Sequence, residues 1–169
     1  MLKQYEKIIL NYDLLNKYHY KNINEIPKIT CIECYFNIKK NDLKEILTCL
    51  LALEILSLNK CKMLKIKSSI LSLKIRKGHP IGCSITIRKK KKKQFILLLL
   101  NEIKKLNYSS TLLPKGFVVT SAISNFLILP EFEKNYNIFK NLNNLIISIY
   151  TTSRSYKELN FLLQCYKLT

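Results

Sequence analysis

The sequence is poor in glycine, proline, tryptophan and acidic residues. Its 169 residues include three glycines, four prolines and no tryptophan, and 11 acidic residues stand against 29 basic ones. A hydrophobic content of 48% provides enough apolar side chains for a core, so the chain is not a disordered basic tail. The formal net charge of +18 makes a polyanion, above all nucleic acid, the expected partner.

Long apolar runs are missing as well. The longest uninterrupted run covers residues 95–100, whereas a membrane-spanning helix needs about 20 apolar residues. The N-terminus has neither the apolar core of a secretory signal nor the composition of a transit peptide. We therefore expect no membrane association, and a chain that is mature as written or made where it works.

The length suits a single domain over residues 1–169. The basic residues are almost all lysine, since Arg76, Arg88 and Arg154 are the only arginines. Abundant Ile, Leu, Asn, Lys and Tyr are typical of an AT-rich coding sequence, so genome bias accounts for part of the charge. We expect an organelle-encoded protein, from a mitochondrion first and a plastid-type organelle second.

Six cysteines are present, and we expect free thiols because a domain of this size does not need disulfides. Cys31 and Cys34 have the spacing of a zinc knuckle, but no second C-x-x-C pair follows. The alternative, which we favour, is that they are small apolar residues of a strand. We expect neither a metal nor a cofactor.

The periodicities predict an α+β fold: an antiparallel-rich sheet of about five strands, with helices packed on one face. The elements alternate with breaks at 22–27, 78–82, 107–116 and 131–144. Predicted helices cover residues 1–20, 42–59, about 94–106 and the segment after 155, and predicted strands cover 28–37, 62–76, 83–88, 117–129 and 145–149.

Three helices carry detailed expectations. Capping boxes are predicted at Asp42 with Glu45 and at Ser155 with Glu158. The apolar positions expected to be buried are Tyr5, Ile8, Ile9, Tyr12 and Leu15 in the first helix, Leu43, Ile46, Leu47, Leu50 and Leu51 in the second, and Leu159, Leu162 and Leu163 in the last.

A catalytic arrangement is not visible. His19 and His79 lie in different segments, and Glu131 with Glu133 is the nearest approach to a carboxylate cluster. The spacing of Gly78 and Gly82 lacks the Lys-Ser/Thr ending of a phosphate-binding loop. We therefore expect no enzyme.

Basic patches predict an RNA interface instead. Two of them flank the stretch 78–82, so a hairpin here would carry positive charge on both arms. The polar face of the strand after it adds hydroxyls for phosphate or 2′-OH contacts. The alternative is a solvated charged face with an ordinary turn. The candidate RNA-binding residues are Lys60, Lys62, Lys65, Lys67, Ser84, Thr86, Arg88, Lys89 and Lys90, and the candidate loop contacts are Lys74, Arg76, Lys77, Gly78, His79, Pro80 and Gly82.

Residues 74–88 (KIRKGHPIGCSITIR) resemble the signature K-I-R-x-G-[YH]-P-I-G-C-x-V-T-L-R of the large-subunit ribosomal protein L-five family. Three further segments resemble other blocks of that family in the same order. These segments are 20–29, with Ile26-Pro27-Lys28-Ile29, then 127–132 (LILPEF) and 145–152 (LIISIYTT). The resemblance covers nearly the whole chain.

This resemblance implies the α+β fold above and a structural place in the central protuberance of the large ribosomal subunit, on 5S rRNA or its equivalent. It implies that residues 74–82 approach the P-site tRNA and that a small-subunit head protein is a neighbour. Thr86 matches a threonine that the family directs at 5S rRNA. The alternatives are a free-standing RNA-binding maturation factor or chaperone, and an RNA-processing enzyme.

Overall fold

The computed structural model describes residues 2–38, 43–69, 76–102, 108–124, 127 and 129–168. Contacts divide the chain into two compact units, each assembled from separate segments. One unit contains residues 1–32, 88–121 and 148–169, and the other contains 33–87 and 122–147. Whether the whole chain behaves as one domain stays a prediction.

Helices and strands alternate along the chain. The first helical stretch consists of α1 (Leu2–Tyr5), a π-helical turn (Glu6–Leu10) and α2 (Asn11–Lys17), and a 3₁₀ turn follows at Ile23–Glu25. The remaining elements are β1 (Ile29–Asn37), α3 (Leu43–Ser57), β2 (Lys62–Lys65), β3 (Pro80–Ile87), α4 (Lys89–Glu102), β4 (Tyr108–Leu113), β5 (Gly116–Ile123), α5 (Pro130–Glu133), α6 (Tyr136–Phe139), β6 (Leu145–Thr151) and α7 (Tyr156–Cys165).

The strands form one six-stranded sheet in the order β2-β3-β1-β6-β5-β4. The pairs β2–β3 and β4–β5 are antiparallel hairpins. The α+β prediction, with an antiparallel-rich sheet and helices on one face, is confirmed. The sheet has six strands rather than about five, because β4 lies where a loop was expected. Its side chains are mostly exposed, so it has no apolar alternation, and its pairing with β5 makes it a strand.

In the first unit the N-terminal helical stretch is present, but the predicted buried face is wrong. Leu10 and Leu14 are buried, whereas Ile8 and Tyr12 are 62% and 63% exposed; Ile9 and Leu15 are exposed too. The π-helical turn explains the difference, because its wider turn shifts every later side chain away from the 3.6-residue period.

The same unit confirms the last helix. Ser155 Oγ accepts a hydrogen bond from the Glu158 N–H at 3.2 Å, and Glu158 Oε2 accepts from the Ser155 N–H at 3.4 Å. This reciprocal capping box is the one predicted. The expected leucines Leu159, Leu162 and Leu163 are buried.

In the second unit α3 packs against β3 through a different stripe from the one predicted. Of the predicted set Ile46 is buried, but Leu43, Leu47 and Leu51 are exposed. The other buried positions are Cys49, Ala52, Leu53 and Ser57. Small side chains allow the helix to approach the sheet closely, which a purely hydrophobic criterion does not recognise. The predicted cap residue Asp42 lies outside the described residues.

Two other segments differ from expectation. The Asn-rich segment 131–144 was predicted to be irregular, but it contains most of α5 and all of α6, and the rings of Phe132 and Phe139 meet edge-on with centroids 5.0 Å apart. Burying these two aromatic rings stabilises short helices that would not form alone. The strand predicted over 117–129 ends at Ile123. None of the described helices is long and apolar enough to span a membrane.

Candidate nucleic-acid interface

The β2–β3 hairpin lies in the second unit and contains most of the predicted interface. Lys62 is paired with Ser84, and Leu64 is paired with Gly82. Beyond β2 the chain remains paired: the Ile66 N–H donates to His79 O at 2.9 Å, and the Gly78 N–H donates to Ile66 O at 2.9 Å. The predicted hairpin is therefore present, with β2 shorter than the expected strand over 62–76.

The cations of the hairpin are exposed, as an interface with a polyanion requires. Those that the structure describes are Lys60, Lys62, Lys65, Lys67, Arg76 and Lys77, and each is exposed. The first four belong to β2 and its flanks, and the last two precede the turn. Lys74 and the rest of residues 70–75, which belong to the strand predicted over 62–76, lie outside the described residues.

The turn before β3 requires its glycine. Gly78 has φ +89°, a left-handed conformation that other residues adopt only with strain. The His79 N–H donates to Arg76 O at 3.2 Å and closes the turn. The side chain of His79 is half-buried, between the exposed Gly78 and the half-buried Pro80.

The predicted loop over 78–82 is wrong for Pro80–Gly82, which form the start of β3. Pro80 is the first residue of that strand, where the missing N–H costs no ladder bond. Gly82 is buried and lies so close to the Phe36 carbonyl oxygen that a Cβ at this position would overlap it. Gly82 is therefore a packing residue within the sheet.

The polar face of β3 carries Ser84 and Thr86, both half-buried, opposite the buried Cys83, Ile85 and Ile87. This confirms the predicted polar face of the strand. Thr86 Oγ1 donates a hydrogen bond to Glu33 Oε1 at 3.3 Å. Glu33 belongs to β1, the strand beside β3.

Sequence reasoning missed Glu33 because it considered only cations, hydroxyls and the loop. A signal was available: Glu33 lies between the buried Ile32 and Cys34 of β1. Residues that alternate with a buried set in a strand share the opposite face, and this places Glu33 with the polar side chains of β3.

The run of six cations at 88–93 belongs to the first unit and serves two roles. Arg88, Lys89 and Lys90 are exposed. Lys92 Nζ donates instead to the Ile29 carbonyl oxygen, and Lys93 Nζ forms an ion pair with Glu6. The exposed beginning of the run, Arg88 to Lys90, therefore stays a candidate for the interface, whereas Lys92 and Lys93 make contacts within the first unit.

Lys92 and Lys93, at the end of this run, are half-buried, and their surroundings are charged. Burial, and to a smaller extent the Lys93 charge, lowers the pKa of Lys92. Glu6, the partner of Lys93, also accepts a hydrogen bond from the Tyr166 hydroxyl at 3.0 Å. The Glu6 carboxylate thus connects the N-terminal helical stretch both to α4 and to the residue after α7.

Several named proteins are similar in sequence to this chain over nearly its whole length. No family model matches it. A large ribosomal subunit protein uL5m from Reclinomonas americana is 35% identical, covering 98% of this chain and 94% of the relative. The uL5 proteins of Blochmanniella floridana and Nitrosomonas europaea are 31% and 30% identical, each over 98% of this chain and over 90% and 96% of the relative. The chain belongs to the uL5 family of large ribosomal subunit proteins.

Membership of the uL5 family confirms the resemblance found in the sequence. The six cysteines are free thiols, as predicted. Cys31 and Cys34 are three residues apart in β1, so their side chains lie on opposite faces of the strand and do not form a zinc knuckle. Among the described residues there is no group of three His, Cys, Asp or Glu side chains able to hold a metal ion.

A second set of thiols lies in the unit that contains the hairpin. Burial raises the pKa of Cys49 to about 12 and that of Cys61 to about 11, with the nearby Cys83 as the next cause for both. Cys61 Sγ also donates to Ser84 O at 3.2 Å. With these raised pKa values, Cys49 and Cys61 remain protonated at neutral pH.

Proposed function

We propose that this chain is a structural constituent of the large subunit of a mitochondrial ribosome and that it binds ribosomal RNA there. The observation that carries the proposal is the β2–β3 hairpin, on which exposed cations follow β2 and continue to the turn at Gly78. The printed names of the uL5 relatives, including the mitochondrial uL5m of Reclinomonas americana, support the ribosomal part.

The proposed mechanism is electrostatic docking followed by shape recognition. Exposed lysines on and beside β2 neutralise backbone phosphates and release their counterions. The Ser84 hydroxyl lies on a strand that fixes its direction, so it offers a hydrogen bond to phosphate or ribose oxygens. The Thr86 hydroxyl donates to Glu33 and can instead accept a hydrogen bond from a ribose 2′-OH. Arg88, Lys89 and Lys90 add exposed charge in the other unit.

The finer assignments follow from the family. We propose that the RNA is 5S rRNA or its equivalent in the central protuberance, together with adjoining large-subunit rRNA. Residues 74–82 would approach the P-site tRNA, and a protein of the small-subunit head would be a neighbour. Exposed Arg76 and Lys77 beside a glycine turn support the tRNA contact, because their cationic side chains can approach phosphates closely there. A plastid-type ribosome is the second choice.

Salt-dependent RNA binding tests the RNA part of this proposal. Transcripts of 5S rRNA and large-subunit rRNA would be titrated with the purified chain between 50 and 200 mM salt. If about 6–8 phosphates are neutralised, the affinity should fall by a factor of at least about 10³ over this range. A flat salt response would overturn the proposal.

A matched pair of double variants locates the interface. Lys62→Ala with Lys65→Ala removes two hairpin cations, and Lys134→Ala with Lys140→Ala removes two exposed cations of the same unit that are not part of the hairpin. We expect the first variant to lower the salt slope by about 2 and the second to leave it nearly unchanged. Equal effects would mean that the binding is unspecific attraction to net charge.

Cosedimentation distinguishes the ribosomal role from a free-standing RNA-binding maturation factor or chaperone. A ribosomal constituent should remain with mitochondrial large subunits after a high-salt wash, whereas a maturation factor should be released. A metal-dependent nuclease assay on the same transcripts tests the RNA-processing alternative, for which we expect no cleavage above that of a Lys62→Ala control.

A further inference from the structure

The strand β4 forms one edge of the sheet, and among the described residues no strand lies on its outer side. It pairs with β5 alone, and most of its side chains are exposed, including Ser109, Thr111 and Leu112. The outer side of an edge strand carries backbone N–H and C=O groups without a ladder partner. A segment of another chain can therefore pair with β4 and extend the sheet.

The two edge strands of the sheet differ in the features that prevent such pairing. The other edge strand, β2, carries Lys62 and Lys65, and its register shifts between Leu64 and Lys65. Lysines and irregular register are common means by which proteins protect an edge. The sequence of β4 is YSSTLL, without a charged residue or a proline, and its register with β5 is continuous from Tyr108 to Leu113. The β4 edge therefore lacks this protection.

A groove lies at the end of β4, between the β4–β5 turn and the 3₁₀ turn. Its volume is about 500 Å³, and its lining includes Leu112, Leu113 and Asn24. A more open hollow shares Asn24 with the groove and continues to Ile23. Leu112 is 67% exposed and Ile23 is 74% exposed. Neighbouring apolar side chains that remain in water, when a polar rim surrounds them, are typical of protein interaction sites.

The rim of the groove is basic. Lys115 and Arg154 line the groove, Lys21 lines the adjoining hollow, and all three are exposed. Among the described residues that line the two, Glu25 is the only acidic one, and its Oε1 lies 3.4 Å from Arg154 Nη1. Lys21 and Lys115 form no ion pair within the described part of the chain, so an occupant with carboxylates would complement their charge.

The charge and the edge together favour one kind of occupant. A second copy of this chain fits poorly, because each copy has a net charge of +18 and the two basic rims would repel one another. RNA cannot continue a β ladder, and its phosphates gain nothing from the apolar side chains of Leu112 and Leu113. An extended protein segment with apolar and acidic side chains satisfies the edge, the groove and the rim at once.

We propose that the β4 edge binds an extended acidic segment of another protein, which adds a further strand to the sheet and places an apolar side chain in the groove. Lys21 and Lys115 pair with carboxylates of that segment. The surface belongs to the first unit and is separate in sequence from the β2–β3 hairpin. The proposal therefore adds a protein partner and does not depend on RNA binding.

A peptide selection tests the proposal. Displayed random peptides of about ten residues, long enough to span the six residues of β4 and reach the groove, would be bound to the full chain at 150 mM salt. We expect the recovered peptides to be enriched about 2-fold in Asp and Glu and to alternate with β-branched or aromatic residues. Methylating alternate backbone nitrogens of a recovered peptide should weaken binding by about 10-fold for one of the two alternating sets, because that set donates to β4.

Variants with matched controls locate the binding surface. Leu112→Ser should weaken peptide binding by about 5-fold and Lys115→Gln by about 3-fold, since they remove an apolar wall and a rim cation. Leu47→Ser, at a leucine of the other unit that is 64% exposed, and Lys157→Gln, at an exposed lysine of the first unit that does not line the groove, should leave binding within about 2-fold of wild type. Circular dichroism would verify that each variant is folded.

Several outcomes contradict the proposal. Recovery of no peptide would do so, as would peptides whose binding survives methylation of either set or is equal for Leu112→Ser and wild type. A dimer seen by analytical ultracentrifugation and lost in Leu112→Ser would assign the edge to a second copy instead. Protection of the β4 amides from hydrogen exchange by an rRNA transcript would assign it to RNA. The salt dependence of RNA binding is measured separately, so the proposed function stands or fails independently of these results.

Discussion

Gly82 of β3 lies directly against the backbone carbonyl of Phe36 in β1, leaving no room for a side chain. The contact brings two neighbouring strands together at the base of the hairpin that carries the proposed RNA interface. Gly78, only four residues earlier, has open space around it and is glycine for another reason, its φ of +89°.

This difference predicts unequal costs for two similar substitutions. Gly82→Ala should lower the free energy of unfolding by about 2–3 kcal/mol, because the backbone of β1 has to move. Gly78→Ala should cost about 1 kcal/mol, from the left-handed backbone alone. Urea denaturation of the two variants measures both values, and a larger loss at Gly78 would contradict this account.

Two lysines of the basic run at 88–93 should contribute to different properties, Lys93 to stability and Lys90 to RNA binding. Lys93→Ala leaves Glu6 without its ion-pair partner and should lower the free energy of unfolding by about 1–3 kcal/mol. Lys90→Ala removes an exposed cation and should change stability by less than about 0.5 kcal/mol. The RNA salt slope should fall by about 1 for Lys90→Ala only. If Lys93→Ala lowered the slope and spared stability, the inward orientation of Lys93 would be wrong.

The capping box at Ser155 gives a local prediction. Ser155→Ala removes the acceptor for the Glu158 N–H and should cost about 1 kcal/mol, because the first turn of α7 then has one more unsatisfied donor. Ser69→Ala, at an exposed serine of the other unit, is the control and should be neutral within about 0.5 kcal/mol. Thermal unfolding followed by circular dichroism compares the two.

The half-buried thiol of Cys61 predicts a loss of stability at alkaline pH. Its pKa is raised from 9.0 to about 11 in the folded chain, so between these values the folded state retains a proton that the unfolded state has released. The stabilisation is therefore complete below pH 9 and is lost as the pH rises towards 11. Urea unfolding at pH 8 and pH 10.5 should show a smaller decrease for Cys61→Ala than for wild type; identical decreases would count against burial as the cause.

The proposed tRNA contact of residues 74–82 predicts that P-site tRNA binding can be weakened without loss of assembly into the large subunit. Lys74→Ala combined with Arg76→Ala should weaken P-site tRNA binding by about 10-fold or more, since two phosphate contacts are removed, and should leave assembly into large subunits intact. Sucrose-gradient sedimentation and tRNA filter binding measure the two effects. Failure to assemble would assign these cations to the rRNA interface.

Several features were predictable from the sequence because their causes are local. The alternation in residues 83–87 requires only that one strand face is buried, and the Ser155 box requires only residues three positions apart. The family signature over 74–88 is likewise a pattern in one continuous segment. The stripe of α3 was not predictable, because Cys49 and Ala52 are buried for their small size and their fit against the sheet.

The sequence by itself determined the fold class, the family and the positions of the basic patches, since these depend on composition, periodicity and short motifs. Tertiary structure alone decided which of the basic side chains are exposed to a polyanionic partner. Lys93 forms an ion pair with Glu6, 87 residues away, and the Thr86 hydroxyl donates a hydrogen bond to Glu33, 53 residues away. Contacts at such separation leave no periodic signal, because the partners meet only when distant strands and helices pack together.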